Sequence, residues 1–485
     1  MKKSVIILSF LFFSCVSARE SGIIDPDAGY DLRFGVISDT HVGGKGRDDS
    51  AYPLHQRFEK ALNWYNTQNV KALAIVGDIT EDGTQADWNL FKKIWENHKG
   101  RLQLIAVMGN HDAVGEKDTA AARFEKATGQ KTNAHYMING YHFIVLSAGK
   151  GNFIEQEASG GAIAAGRTEV PGSTTYTGDV VPPSVIEWTR TRINMAKEDA
   201  PGKPIFLFLH WPVQNTILRS DSAGATSFGS DYDTHFFKND PEVIIFGGHT
   251  HLPNNEPRSI WQGGFTAVNT ATLNYLGMEA GYLGSNSNGT ANYSLPKIAE
   301  KAVGQGMIVS VKGSKVIIEN YDFDMSEGPT PLNNVARIPQ VWTFDVSNPA
   351  DFLYTHTKRE EQKTAPVFDE SKPADAGLSG IIIRKIEKTA VEIEFPQAKI
   401  PDPNPGNEVV HSYRFDFINR QTGDIDRSAR QWSDFMLTPR LQKPTYTQLI
   451  GSLKSNTEYE LRIYAYGSFQ ECSSQYLTQI FRTTK

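Results

Sequence analysis

The chain has almost no cysteine: two in 485 residues, Cys15 and Cys472. If Cys15 lies in a leader, one thiol is left and no internal disulfide can form, so stability must come from core burial. No stretch is strongly basic and the formal net charge is −6, which argues against a protein that coats nucleic acid. An anionic substrate must therefore be attracted locally, by a metal or an arginine. Long apolar runs are absent too. The longest, Val5 to Phe13 behind Lys2 and Lys3, is too short to span a bilayer. With 39% hydrophobic and 21% charged residues, the rest suits a globular protein of two or three domains.

The first twenty residues have the form of an export signal: a basic start, a short apolar core and small residues after it. Two outcomes fit. Cleavage after Ala18 would use Val16 and Ala18, whereas "LFFSC" (11–15) is similar to a loose bacterial lipobox, in which Cys15 becomes a lipidated first residue attached to a membrane. The second is slightly favoured. Either gives an exported protein: periplasmic, an outer-membrane lipoprotein or secreted. The sequons at Asn288 and Asn292 carry little weight in such a protein.

From Leu32 to Asp324 apolar runs alternate with amphipathic stretches. "RFGVIS", "ALAIVG", "LIAVMG", "YHFIVLSA", "PIFLFLH" and "VIIFGG" read as strands. The early ones lack polar alternation, so burial on both faces is expected. Residues 53–67, 84–98, 119–129 and 182–200 read as helices. "GFTAVNTA", "GMIVSVK" and "KVIIENYDF" look like closing strands. This is an α/β layered domain. Two long polar stretches, 149–179 and 281–297, read as lids or as surface insertions. The expected division is a signal at 1–20, a first domain at 30–327, a solvated connector at 328–370 that includes "KREEQK", and an all-β sandwich at 371–485. "LKSNTEYELRIYAYG" (453–467) resembles the end of a fibronectin type III domain, with Leu453 and Tyr459 at its leucine and tyrosine-corner places.

Five strands of the first domain end in metal-capable residues: Asp39 and His41; Asp78; Asn110, His111 and Asp112; His210; His249 and His251. Ligands bind outside the carboxyl ends of strands in open α/β sheets, and residues at i and i+2 of an extended chain point the same way. A lone histidine after a strand is more often structural, but core packing asks for no such set at five strand ends. Imidazole and carboxylate without thiolate suit Zn, Mn or Fe. Such a set exceeds one tetrahedral site and suits two metals.

The ordered set Asp-x-His, Gly-Asp, Gly-Asn-His-Asp, His and Gly-His-Thr-His resembles the calcineurin-like metallophosphoesterase superfamily. The resemblance covers 39–251. It implies a β-sandwich of two mixed sheets flanked by helices, with a dinuclear centre. It also implies that Asp39, His41 and His251 hold one divalent metal, that Asn110, His210 and His249 hold the other, and that Asp78 bridges them. His111 would be the catalytic residue, giving a proton to the leaving oxygen or stabilising the transition state. Glu81 and Asp82 either orient His111 or form a helix cap; Tyr275 either touches substrate or packs. "GDITEDGTQADW" lacks the tyrosine of purple acid phosphatases and the arginine of Ser/Thr protein phosphatases, and is most similar to the cyclic-nucleotide-phosphodiesterase-like branch. The substrate expected is a phosphoester, with diester slightly favoured. The alternatives are a broad phosphomonoesterase that scavenges phosphate and a surface binding protein with a degenerate enzyme domain.

Overall fold

The computed structural model describes residues 29–485, apart from 45, 47–51, 115–118, 150–151, 154–177, 181–182, 221–224, 228–235, 278, 280, 284–302, 326, 329–331 and 402–407. The expected export signal, the sequons and most of the two long polar stretches lie outside the described residues.

Two six-stranded mixed sheets face each other. One runs Ala336–Asp345, Lys315–Asp322, Gln305–Lys312, Leu32–Ile37, Ala72–Val76, Gln103–Val107. Its last three strands are parallel. The other runs Ile260–Gln262, Thr266–Asn269, Val243–Gly247, Ile205–Leu209, Tyr141–Leu146, Ala134–Ile138. Its four central strands are parallel and its edges antiparallel. Aromatic rings fill the gap between the sheets. Phe34 meets Phe206 edge-on at 4.8 Å and Phe143 at 5.1 Å, and Phe208 stacks on Phe246 at 5.3 Å.

Helices cover the outer faces, which is why the central strands are buried throughout. Pro53–Thr67 starts on a proline and packs Phe58, Leu62 and Tyr65 inward. Gln85–His98 opens with a capping box between Thr84 and Asp87 and buries Trp88, Phe91 and Trp95, satisfying N–H groups that would otherwise be orphaned. Pro183–Asp199 covers the second sheet. The layered α/β architecture expected from the sequence is thus present.

The connector expectation needs correction. Ala336–Asp345 alternates buried and exposed residues and is the edge strand of the first sheet, paired with Lys315–Asp322. "KREEQK" lies largely in the helix His356–Gln362, and its Arg359 is buried. Cys472 is exposed.

The C-terminal residues form a five-stranded and a three-stranded sheet around one core. Tyr459 is buried, and its hydroxyl accepts from the Lys454 N–H at 3.1 Å and donates to Asp426 at 3.2 Å. This is the expected tyrosine corner. The sandwich packs on the first domain through Trp432, Phe435 and Met436, which cluster with Leu252, Leu276, Tyr282 and Val303.

Two predictions follow from this packing. Tyr459→Phe removes both hydroxyl contacts and should lower stability by about 1–2 kcal/mol, read as a lower midpoint in chemical unfolding. Glu408 is buried beside Glu471 near the same contact; burial, then Glu471, push its carboxyl up to about 8, against the Thr364 N–H that it accepts at 2.7 Å. A carboxyl that holds its proton more tightly when folded gives stability that is complete below its unfolded pKa near 4.5 and is lost as pH rises through about 8. Glu408→Gln should flatten that decline, measured as unfolding midpoints between pH 5 and 9.

Candidate metal centre

Asp39, Asp78, His210 and His251 arrive at one place from four strands, and all are buried. His251 Nε2 lies 3.0 Å from Asp39 Oδ1 and 3.4 Å from His41 Nε2. His210 Nε2 lies 3.1 Å from Asp78 Oδ2, and His41 Nε2 lies 3.9 Å from the same carboxylate oxygen. Three groups of metal-capable residues result: Asp39, His41, Asp78 and His251; Asp78, His210 and His249; and, beside them, His41, Glu81 and His111. Asp78 belongs to the first two. Asn110 sits at the edge of the second, its Oδ1 accepting from the Trp211 indole at 3.1 Å. His111 stands beside the pair, its ring 4.7 Å from that of His41 and its backbone N–H donating to Asp78 Oδ1 at 2.8 Å.

The backbone reason for this convergence differs from the extended chain expected. Asp39, His41, Asp78, His249 and His251 all have positive φ, between 45° and 66°. Each turns in the left-handed region, which costs a non-glycine residue ~1–3 kcal/mol and concentrates at functional sites. The strand-end loops hold one another in these turns: Asp39 N donates to Gly77 O and His41 N to Asp78 O, both at 3.0 Å. Asp112 ties the loops together, accepting from the N–H groups of Thr80 at 2.8 Å and Gly109 at 2.9 Å.

Three of the ligand histidines have one nitrogen turned to an outer partner. His210 Nδ1 bonds the Val76 carbonyl at 2.9 Å, His251 Nδ1 bonds the Tyr275 carbonyl at 2.7 Å, and His41 Nδ1 faces Glu81 Oε2 at 2.8 Å. Such outer partners fix the tautomer and aim the other nitrogen at a metal. His210 Nε2 is buried and makes no hydrogen bond. These orphaned, converging nitrogen and oxygen donors fit two divalent cations.

The electrostatics agree. Burial alone would raise Asp39 and Asp78, but the surrounding imidazoles outweigh it and hold both carboxyls low. Burial, then the neighbouring His210, push His249 down to about 3, and burial lowers His41. His210 differs: burial opposes its charge, yet Asp78 and Asp39 push it up to about 9. For His111, burial is outweighed by Asp78 and the Glu81 carbonyl and carboxylate, so its pKa lies above the ordinary value.

Two pairs of alternatives left open by the sequence are seen in detail. The Glu81 carboxylate faces His41, while its backbone carbonyl accepts from His111 Nδ1 at 2.7 Å; Asp82 touches neither, and the helix cap is Thr84. Tyr275 holds His251 by its carbonyl and stacks its ring on that imidazole at 4.2 Å. The carbonyls of Val76 and Tyr275 and the indole of Trp211 left no readable mark in the sequence, since a carbonyl belongs to every residue.

Two buried clusters that share Asp78, at the strand ends of a two-sheet sandwich, offer the donors that a pair of divalent cations would need. Residues 32–253 match the family model of the calcineurin-like phosphoesterases, and this segment is a domain of that family of phosphoester hydrolases. No curated protein matches the chain. Among solved structures, a purple acid phosphatase from yellow lupin (Lupinus luteus) seeds is similar over 65% of this chain and 53% of its own, at 10% identity and a TM-score of 0.38. The chain thus spans about half the length of the lupin protein. PhoD is similar over 65% of this chain and 70% of its own, at 10% identity and a TM-score of 0.39. The fibronectin type III domain of human collagen alpha-1(XX) covers 24% of this chain and 89% of its own, at 17% identity and a TM-score of 0.16.

Gly248 tests the geometry without replacing a ligand. A Cβ there would lie 2.7 Å from Asp39 Oδ2 and 2.9 Å from the Val76 carbonyl. Gly248→Ala should displace Asp39, lower bound metal below two equivalents by elemental analysis, and reduce turnover by ~10²-fold, the usual effect of an ångström-scale misplacement.

Proposed function

We propose that the protein is an exported phosphoesterase that hydrolyses phosphodiesters in preference to monoesters. One observation carries the reading: His111 stands beside two ligand clusters that share Asp78, with its Nδ1 committed to the Glu81 carbonyl. Asp39, His41 and His251 would hold one divalent cation and Asn110, His210 and His249 the other, with Asp78 between them. The bound pair supplies a clamp on the phosphoryl oxygens and an activated water.

The chain's own groups do the rest. The Glu81 carbonyl accepts from His111 Nδ1 and so presents Nε2 outward. A proton at Nε2 can pass to the departing alkoxide as the ester bond breaks. Glu81 and Tyr275 hold His41 and His251 in place, and Trp211 fixes the amide of Asn110. The preference for diesters rests on "GDITEDGTQADW", with Glu81 where purple acid phosphatases carry tyrosine. Export rests on residues 1–20; mass spectrometry of the mature N-terminus would distinguish a lipidated Cys15 from cleavage after Ala18.

Hydrolysis of bis-p-nitrophenyl phosphate beside p-nitrophenyl phosphate, with Mn²⁺ supplied, tests the activity. Diester turnover should exceed monoester turnover and vanish on chelation and in His249→Ala. Monoester turnover alone would replace this reading with a scavenging phosphatase. Absence of metal binding would replace it with a binding protein. His111→Gln should keep both metals and lose ~10²–10⁴-fold in rate, with a larger loss on alkyl esters, whose leaving groups need the proton, than on p-nitrophenyl esters.

A further inference from the structure

The turn that carries His249 and His251 is braced by a side chain from the neighbouring strand. Asn269 ends the strand Thr266–Asn269, which runs parallel to Val243–Gly247 and pairs with it at Gly247. Its side chain is almost wholly buried. Asn269 Oδ1 accepts from the Thr250 hydroxyl at 2.9 Å, and Nδ2 donates to the Leu252 carbonyl at 2.8 Å and to the Ser259 hydroxyl at 3.2 Å. Thr250 lies between the two histidines and Leu252 directly follows the second. One amide therefore holds the chain on both sides of His251.

The partners dictate which way the amide faces. A carbonyl only accepts, so Nδ2 must meet Leu252, which leaves Oδ1 for the hydroxyl. An ionised aspartate here would offer acceptors alone and a leucine neither. The brace matters because the turn works against its own backbone preference. His249 and His251 have φ of 66° and 55°, and non-glycine residues stay there only where the surroundings over-determine them. Asn269 is itself anchored. Its Nδ2 lies 3.5 Å from Asn254 Oδ1, Asn254 Nδ2 donates to Asn320 Oδ1 at 3.0 Å, and Asn320 Nδ2 donates to the Gln340 carbonyl at 2.9 Å. A chain of buried amides thus runs from the turn into the first sheet and ends on its edge strand Ala336–Asp345. Buried amides are costly unless paired, and a paired chain of them specifies one arrangement of what it joins.

The structure assigns Asn269 as a positioning residue that braces the His249–His251 turn and so sets the spacing of the two cations. His251 would serve one cation and His249 the other, so the shape of this one turn fixes how far apart the two sites lie. Asn269 is not a ligand; it acts through Thr250 and Leu252. The inference rests on the ligand assignment proposed above, and it stands whether or not the diester preference does.

The full chain, freed of metal and then titrated with Mn²⁺, tests it by calorimetry and electron paramagnetic resonance. Two Mn²⁺ ions that share a carboxylate are magnetically coupled, and the coupling depends on their separation. The parent should bind two ions and show the coupled spectrum. Asn269→Leu, close in size but without the amide, should raise the dissociation constants about tenfold or more and replace the coupled signal by that of separate ions. Thr250→Val removes the hydroxyl alone and should act in the same direction, less strongly. The double variant should match Asn269→Leu, because the two changes remove the same bond. Tyr459→Phe, which loosens the sandwich core instead, should leave the coupled spectrum as in the parent. In the metal-free chain the His251 Nδ1–H, which donates to the Tyr275 carbonyl, should exchange with solvent at least about tenfold faster in Asn269→Leu, read from histidine nitrogen resonances. The same spectrum and affinities in the parent and in both folded single variants overturn the proposal and leave the metal centre standing. Failure of the parent to bind Mn²⁺ overturns the metal reading instead, and the exchange at His251 then decides whether Asn269 braces the turn. If Asn269→Leu does not fold, Thr250→Val decides alone.

Discussion

Two carboxylates buried side by side are the constraint on which the structure depends. Asp39 and Asp78 are almost wholly hidden from solvent, and an ionised carboxylate in such a place is intolerable without opposite charge and donors. Everything around them supplies one or the other. His251 and His210 come within 3.0 and 3.1 Å of them. Backbone N–H groups of His249 and His111 point at them. The donors gathered around the buried pair, carboxylate oxygens and imidazole nitrogens converging on one place, are those that two divalent cations would need.

That cluster in turn dictates the glycines and the strained turns. Gly77, Gly109 and Gly248 sit where a Cβ would strike His210, the Asp78 backbone and Asp39 respectively. They are the places at which strand-end loops pass within van der Waals contact of a ligand. Five ligand residues adopt positive φ although none is glycine, because side chain and backbone must both face inward at the same point. A fold tolerates such turns only where neighbouring loops over-determine them. Here the paired loops after Ile37 and Val76, tied again by Asp112, do so.

Much of this was legible in the sequence. Strands announced themselves as apolar runs, and the ligand residues stood immediately after them, where no packing requirement explains Asp, Asn and His. What stayed hidden has a common physical character. Ala336–Asp345 alternates buried and exposed residues as an edge strand should, but its proline and the polar residues around it read as linker. Arg359 lies in a run of charges that composition assigns to solvent, yet one turn of helix puts it inside. Glu81 was legible as a residue near His111, but which neighbour took its carboxylate and which its carbonyl depends on a turn that only the assembled loops define. Local composition reports average exposure; it does not report which member of a polar run is turned inward.

The position of the sandwich follows from the same loops. Leu252 comes directly after His251, and Leu276 directly after Tyr275, whose carbonyl holds His251 and whose ring covers it. Both leucines are buried in the cluster that Trp432, Phe435 and Met436 of the sandwich complete. His251 is thus held from two sides by segments whose next residue is anchored in the domain contact. A strained left-handed residue needs such anchoring, since its own backbone preference works against it. The all-β domain is therefore more than an appended module: its aromatic face closes the apolar side of the loops whose polar side binds metal, and loosening that contact would be felt first at His251.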